Sequence, residues 1–240
     1  MMDRLTRAYI GPNKAHQQFV QKITTEKVFV FLVMKTKKFL ASTFKEEIET
    51  ARQKSREMGS KEFSIGIITK PISPTQSKGI FIRENESTFI AKDFAEFEAQ
   101  VYSKAFTEIY RIFVDYQIDL YREIAETHPG TQKYDRLSFA EPREKAFNQI
   151  GLKIIPEKET GGSTPQELER RFNELESTRH VLEHNNGIAD ENFLKHNPIT
   201  TRRLGERLSV GPEQIGEAIA LVETLSEDLN KRAVIKYRIG

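Results

Sequence analysis

Six consecutive residues, Arg179-His180-Val181-Leu182-Glu183-His184, bring together a permanent cation, two imidazoles and a carboxylate, and Asn185 follows directly. Histidine takes and returns a proton near neutrality, while an arginine fork matches the oxygens of a phosphate. Such a pair suits RNA cleavage without a metal: an imidazole removes the 2′-hydroxyl proton, and a guanidinium binds the extra charge of the pentacoordinate phosphorus. One arginine and one histidine are thin for a site, and two copies facing each other across a two-fold axis would supply two of each. The same stretch, read as His180-x-x-Glu183-His184, matches the inverted zinc-protease pattern H-x-x-E-H. In that reading two histidines hold zinc, Glu183 acts as general base, and Glu213 or Glu217 offers a third ligand. The plainest reading needs no chemistry: Arg179 and Glu183 form an i,i+4 ion pair, and His184 meets the negative end of a helix dipole.

All these readings require a helix that ends just after His184. Thr164-Pro165-Gln166-Glu167 supplies a cap, a proline suited to the first helical position and a capping-box glutamate. Asn186-Gly187 supplies the residues able to take positive φ at the stop. Between them Leu168, Phe172, Leu175 and Leu182 mark an apolar stripe into which Arg179 falls. On an ideal helix Arg179 and His184 lie roughly 140° apart, whereas His180 and His184 share a face. The arginine is expected to turn towards neighbouring helices and the histidines towards a flank.

Upstream, Val101, Ala105, Ile109, Ile112, Tyr116 and Leu120, with a second stripe of Phe106, Tyr110, Val114 and Tyr121, predict a long central helix from Asp93 to Thr127, stopping before His128-Pro129-Gly130. At helical spacing these aromatics read as core rather than as stacking platforms for bases. A shorter helix is expected around Arg143–Ile150 and a last one from Pro212, with Ile215, Ile219, Val222, Leu225 and Leu229 buried. Residues 188–194 read as a polar loop anchored by Phe193 and Leu194. The chain thus reads as mainly α, with a bundle of about four helices over 92–240 and a small α+β extension over 1–91. In that extension Val28–Met34 reads as a strand, although periodicity alone leaves a buried helix open. Thr43-x-x-Glu46 opens a helix reaching Gly59, residues 63–69 form a strand, and Gly79–Arg83 and Ser87–Ile90 are the arms of a hairpin.

Composition narrows the classes. With no cysteine there is no disulfide, thiolate metal site or cysteine nucleophile, which fits a cytoplasmic protein. No apolar run approaches a membrane span, and the start lacks the apolar core of a secretory signal. The net charge is only +2, yet residues 1–45 carry nine Lys/Arg against Asp3 and Glu26, a local surface that would attract phosphates as a guide for RNA.

The Arg179-His180-x-x-x-His184 pattern, followed by Asn185-Asn186-Gly187, resembles the R-x4-H motif of the HEPN superfamily. The likeness extends through Asp190-Glu191 and Leu204–Ser209 to the last helix, and loosely back to the long helix, covering about residues 92–236. It implies a HEPN-like helical bundle that dimerises near the motif helix. In active members it implies a metal-independent endoribonuclease that leaves a 2′,3′-cyclic phosphate and needs no cofactor. Arg179 and His184 would be the catalytic pair, His180 an auxiliary polar residue, and Asn185 either an orienting group or part of the turn. Such proteins act as toxins or antiviral defence components, often beside an antitoxin or a larger defence partner protein, while other members are non-catalytic RNA- or protein-binding modules.

Overall fold

The computed structural model describes residues 13–57, 64–68, 79–128, 131, 136–197 and 200–239. Its elements are α1 (Lys14–Glu57), β1 (Ser64–Ile68), β2 (Gly79–Arg83), α2 (Glu84–Thr127), α3 (Ala140–Gln149), α4 (Pro165–His184), α5 (Glu191–His196) and α6 (Pro212–Tyr237). The protein is mainly α-helical. It divides into two compact units, one formed by residues up to Val28 together with Tyr102–Gly240, the other by Phe29–Val101.

The first unit is arranged around the C-terminal half of α2. Ile109, Phe113, Leu120 and Ile124 are fully buried, and Tyr116 and Tyr121 nearly so, on a face too wide for a single neighbour. The start of α1 packs there: Phe19 meets Phe113 and Tyr116 edge-on or tilted, and Ile23 lies in the same core. Ion pairs from Lys22 to Asp115 and Lys27 to Glu223 flank this contact. The predicted face of α6 is buried throughout, from Ile215 to Leu229, and the Tyr116 hydroxyl donates to the Ser226 carbonyl at 3.1 Å. The long and final helices therefore do as their periodicity predicts.

In the second unit β1 and β2 pair antiparallel, with Ser64 opposite Arg83 and Ile68 opposite Gly79. Here three expectations are corrected. Val28–Met34 is not a strand but lies inside the 44-residue α1, where Val30 is buried while Val28, Phe29, Phe31 and Leu32 are about half exposed. No proline or glycine interrupts Lys14–Glu57, so a continuous helix overrides the β-branched preference of one short run. For the same reason the capping signal at Thr43 opens nothing, because the helix passes through it. Ser87–Ile90 is not a hairpin arm: β2 pairs with β1, and the chain enters α2 at Glu84. Downstream, the loop expected at 188–194 holds the short α5, capped by Asp190, whose carboxylate accepts from Phe193 N at 2.7 Å.

His16 packs against Phe19 and Tyr116 with both ring nitrogens buried and without a hydrogen-bond partner. Burial lowers its pKa; nearby Glu227 opposes this and Lys231 adds to it. A depressed imidazole lets the unfolded chain take up the proton first, so stability is complete above the free-histidine value of 6.5 and declines below it. Melting temperatures measured from pH 8 to pH 5 are expected to drop more steeply in wild type than in His16→Leu. Parallel curves would remove His16 as the cause.

Candidate functional site

The local rules at the ends of α4 operate as the sequence implies. Thr164 Oγ1 accepts from Glu167 N at 3.2 Å, and Pro165 takes the first helical position. At the other end the amides of Asn185 and Gly187 both donate to the Val181 carbonyl, while Asn186 and Gly187 adopt φ of 52° and 75°. This is the paired closure of a helix by left-handed residues. A Cβ at Gly187 would meet only ordinary contacts, so the glycine is there for its φ. Gly187 and Ala189 then exchange backbone hydrogen bonds with Gly205, Glu206 and Leu208, laying the following segment back over the helix end. Val181, Ala189, Phe193 and Leu208 form the small core beneath it.

Arg179 turns inward from this end, as its place in the apolar stripe predicts. Its guanidinium carbon lies 5.0 Å from the centre of the Tyr110 ring on α2. Tyr110 is 4% exposed, stacks on Phe172 and donates its hydroxyl to Glu176 Oε1 at 2.6 Å. Burial, reinforced by the Glu176 carboxylate, pushes the phenol well above its ordinary pKa, so it stays a protonated donor. Sequence reasoning placed Tyr110 in the core and gave it no further role. Its position in the second stripe of α2 is consistent with both, and nothing local marks the arginine it supports.

Arg179 and His184 meet at a third residue. Glu183 Oε2 is 2.8 Å from Arg179 Nε and 3.8 Å from His184 Nε2, so one carboxylate oxygen stands between the two groups. The i,i+4 pair expected from the spacing is thus present, but Arg179 Nε–H is not aligned with that oxygen and remains a buried donor without a hydrogen bond. Arg179 and Glu183 side chains are about one-third exposed, and pairs of this kind contribute only about 0.5 kcal/mol. Charge-assisted hydrogen bonds to a phosphate are worth roughly 1.5–3 kcal/mol each. The internal pair therefore does not disable the arginine.

The histidines share a flank as predicted, with ring centres 5.0 Å apart. His184 is exposed, and His180 is half-buried. Among the described residues no cluster of three or more His, Asp or Glu is placed to hold a metal ion, so the third ligand sought in Glu213 or Glu217 does not join them. Asn185 donates its side-chain amide to Asp190, the residue that caps α5, and so ties the turn together. Asn197 supports the same region from below, donating to Ser177 Oγ and the Phe193 carbonyl, both at 2.7 Å.

A cavity of about 750 Å³ runs along the side of α4 that leads to Arg179, lined among others by Arg143, Phe147, Glu169, Phe172 and Glu176. Its carboxylates outnumber its cations, which makes it a poor seat for a phosphate. The groove on the opposite side of α4 sets Arg170, Arg171 and Arg202 against Glu167, Glu174 and Glu217, with no excess of either sign.

Urea unfolding of Arg179→Ala, Glu183→Ala and the double variant is expected to give a coupling of about 0.5 kcal/mol. A coupling above roughly 2 kcal/mol would mean that the pair locks the arginine against any ligand. Compared with protein-family models, with curated proteins and with solved structures, the chain matches none.

Proposed function

We propose that the protein is a metal-independent endoribonuclease of the HEPN kind, working as a homodimer in which the α4 ends of two copies face one another. His184 acts as general base and then general acid, and Arg179 binds the scissile phosphate. His180 is the auxiliary polar residue beside them. In the reaction His184 takes the proton of the ribose 2′-hydroxyl, the 2′-oxygen attacks the adjacent phosphorus, and the bond to the 5′-oxygen breaks. The products are a 2′,3′-cyclic phosphate and a 5′-hydroxyl. Each Arg179 would hold the non-bridging oxygens as charge accumulates on them.

The observation that carries this reading is the convergence of Arg179 Nε and His184 Nε2 on one anionic oxygen, that of Glu183. A guanidinium packed on Tyr110 and an imidazole 3.8 Å from the same carboxylate oxygen place a cation and a proton-transfer group within reach of one anion, which supports phosphate binding. The basic residues of 1–45 extend the reading to a guide surface for RNA. Lys22 and Lys27 pair within the fold, Lys14 and Lys35 are exposed, and Arg4 and Arg7 lie outside the described residues. By the HEPN resemblance, the partners beyond RNA would be an antitoxin or a larger defence protein. No helix among the described residues is long and apolar enough to cross a membrane.

The alternative, a non-catalytic HEPN module that binds RNA or protein, draws on the exposure of His184 at the helix end. One experiment separates the two. Purified protein incubated with mixed RNA and a chelator is expected to cut it, with Arg179→Ala and His184→Ala each lowering the rate by about 100-fold or more. RNA binding that survives His184→Ala without any cleavage would select the binding module instead. Sedimentation should show a dimer.

A further inference from the structure

We infer that Glu183 is a built-in competitor at this site: its carboxylate occupies the seat of the substrate phosphate and must be displaced before an anion can engage Arg179. The inference rests on the reading of Arg179 and His184 as a phosphate site. Three observations lead to it. The first is position, since the bridging oxygen belongs to Glu183 and lies within ion-pair reach of both groups.

The second is the quality of the contact. Glu183 is tethered to the same helix as Arg179, and despite the 2.8 Å approach the Nε–H finds no aligned acceptor. A free phosphodiester has no such tether; it can place one non-bridging oxygen in line with the guanidinium and turn another towards the imidazole. The third is that nothing else holds the carboxylate. Among the described residues Glu183 has no polar partner besides Arg179 and His184, and its side chain is one-third exposed, so it can swing into solvent when displaced.

The competition bears on every anion alike. A tethered carboxylate whose pairing is worth about 0.5 kcal/mol lowers the affinity of any incoming anion by about twofold. Glu183 thus acts as a built-in competitor rather than as a reacting group.

The test titrates inorganic phosphate and, separately, acetate into the full-length protein, following the Arg179 Nε–H and His184 imidazole signals by NMR. Glu183→Gln is expected to bind phosphate about two- to fivefold more tightly than wild type and to strengthen acetate binding by the same factor. Glu174→Gln removes the same charge from the same helix, but from a carboxylate paired with Arg170. It should leave both titrations as in wild type, and Arg179→Ala should abolish them. If Glu183→Gln binds phosphate no more tightly than wild type, or if Glu174→Gln tightens it equally, the assignment of Glu183 is overturned. The expected titrations from a protein that cuts no RNA would instead leave Glu183 in its role and remove the ribonuclease.

Discussion

The ring of Tyr110 beneath the guanidinium of Arg179 is the contact on which the proposed site depends. An arginine side chain carries about 2 kcal/mol of rotamer entropy, and at a helix surface it would ordinarily disperse its charge through solvent. Here the ring is buried, stacked on Phe172 and tied by its hydroxyl to Glu176, less than one turn before Arg179 on α4. The same tyrosine therefore joins α2 to α4 and supports the cation. Because burial and the Glu176 carboxylate keep the phenol protonated, that hydrogen bond persists across the physiological pH range.

The other half of the pair is held differently. His184 lies in the last helical turn, and its place follows from the closure of that turn by Asn186 and Gly187 rather than from side-chain packing. Below it the helix end is firm: Val181 is fully buried, Asn185 is bonded to Asp190, and the backbone of 187–189 pairs with that of 205–208. A fixed arginine beside an exposed imidazole divides the work sensibly. In the proposed site the group that orients the anion is packed on a ring, and the group that moves protons keeps contact with water.

Charge is distributed to match. The cavity and groove on either side of α4 are acidic or balanced, so neither offers a net positive seat for a phosphate. In α1 some of the basic excess is internal to the fold, since Lys22 and Lys27 neutralise Asp115 and Glu223 beside the Phe19 contact. A local surplus of positive residues in a sequence is therefore not equivalent to a free basic surface, because tertiary pairing removes part of it.

Much of α4 was legible in the chain alone. The cap at Thr164, the stop at Asn186-Gly187, the pairing of Arg179 with Glu183 and the shared flank of His180 and His184 all arise from residues within a few positions of one another. The buried faces of α2 and α6 follow from periodicity for the same reason. Local preference misled where a longer element absorbed it: the β-branched run at 28–34 sits inside α1, and 84–90 begins α2 instead of closing a hairpin. Tertiary structure alone decided that Tyr110 supports Arg179. Helix geometry propagates only a few residues along the chain, whereas this meeting depends on how α2 packs against α4.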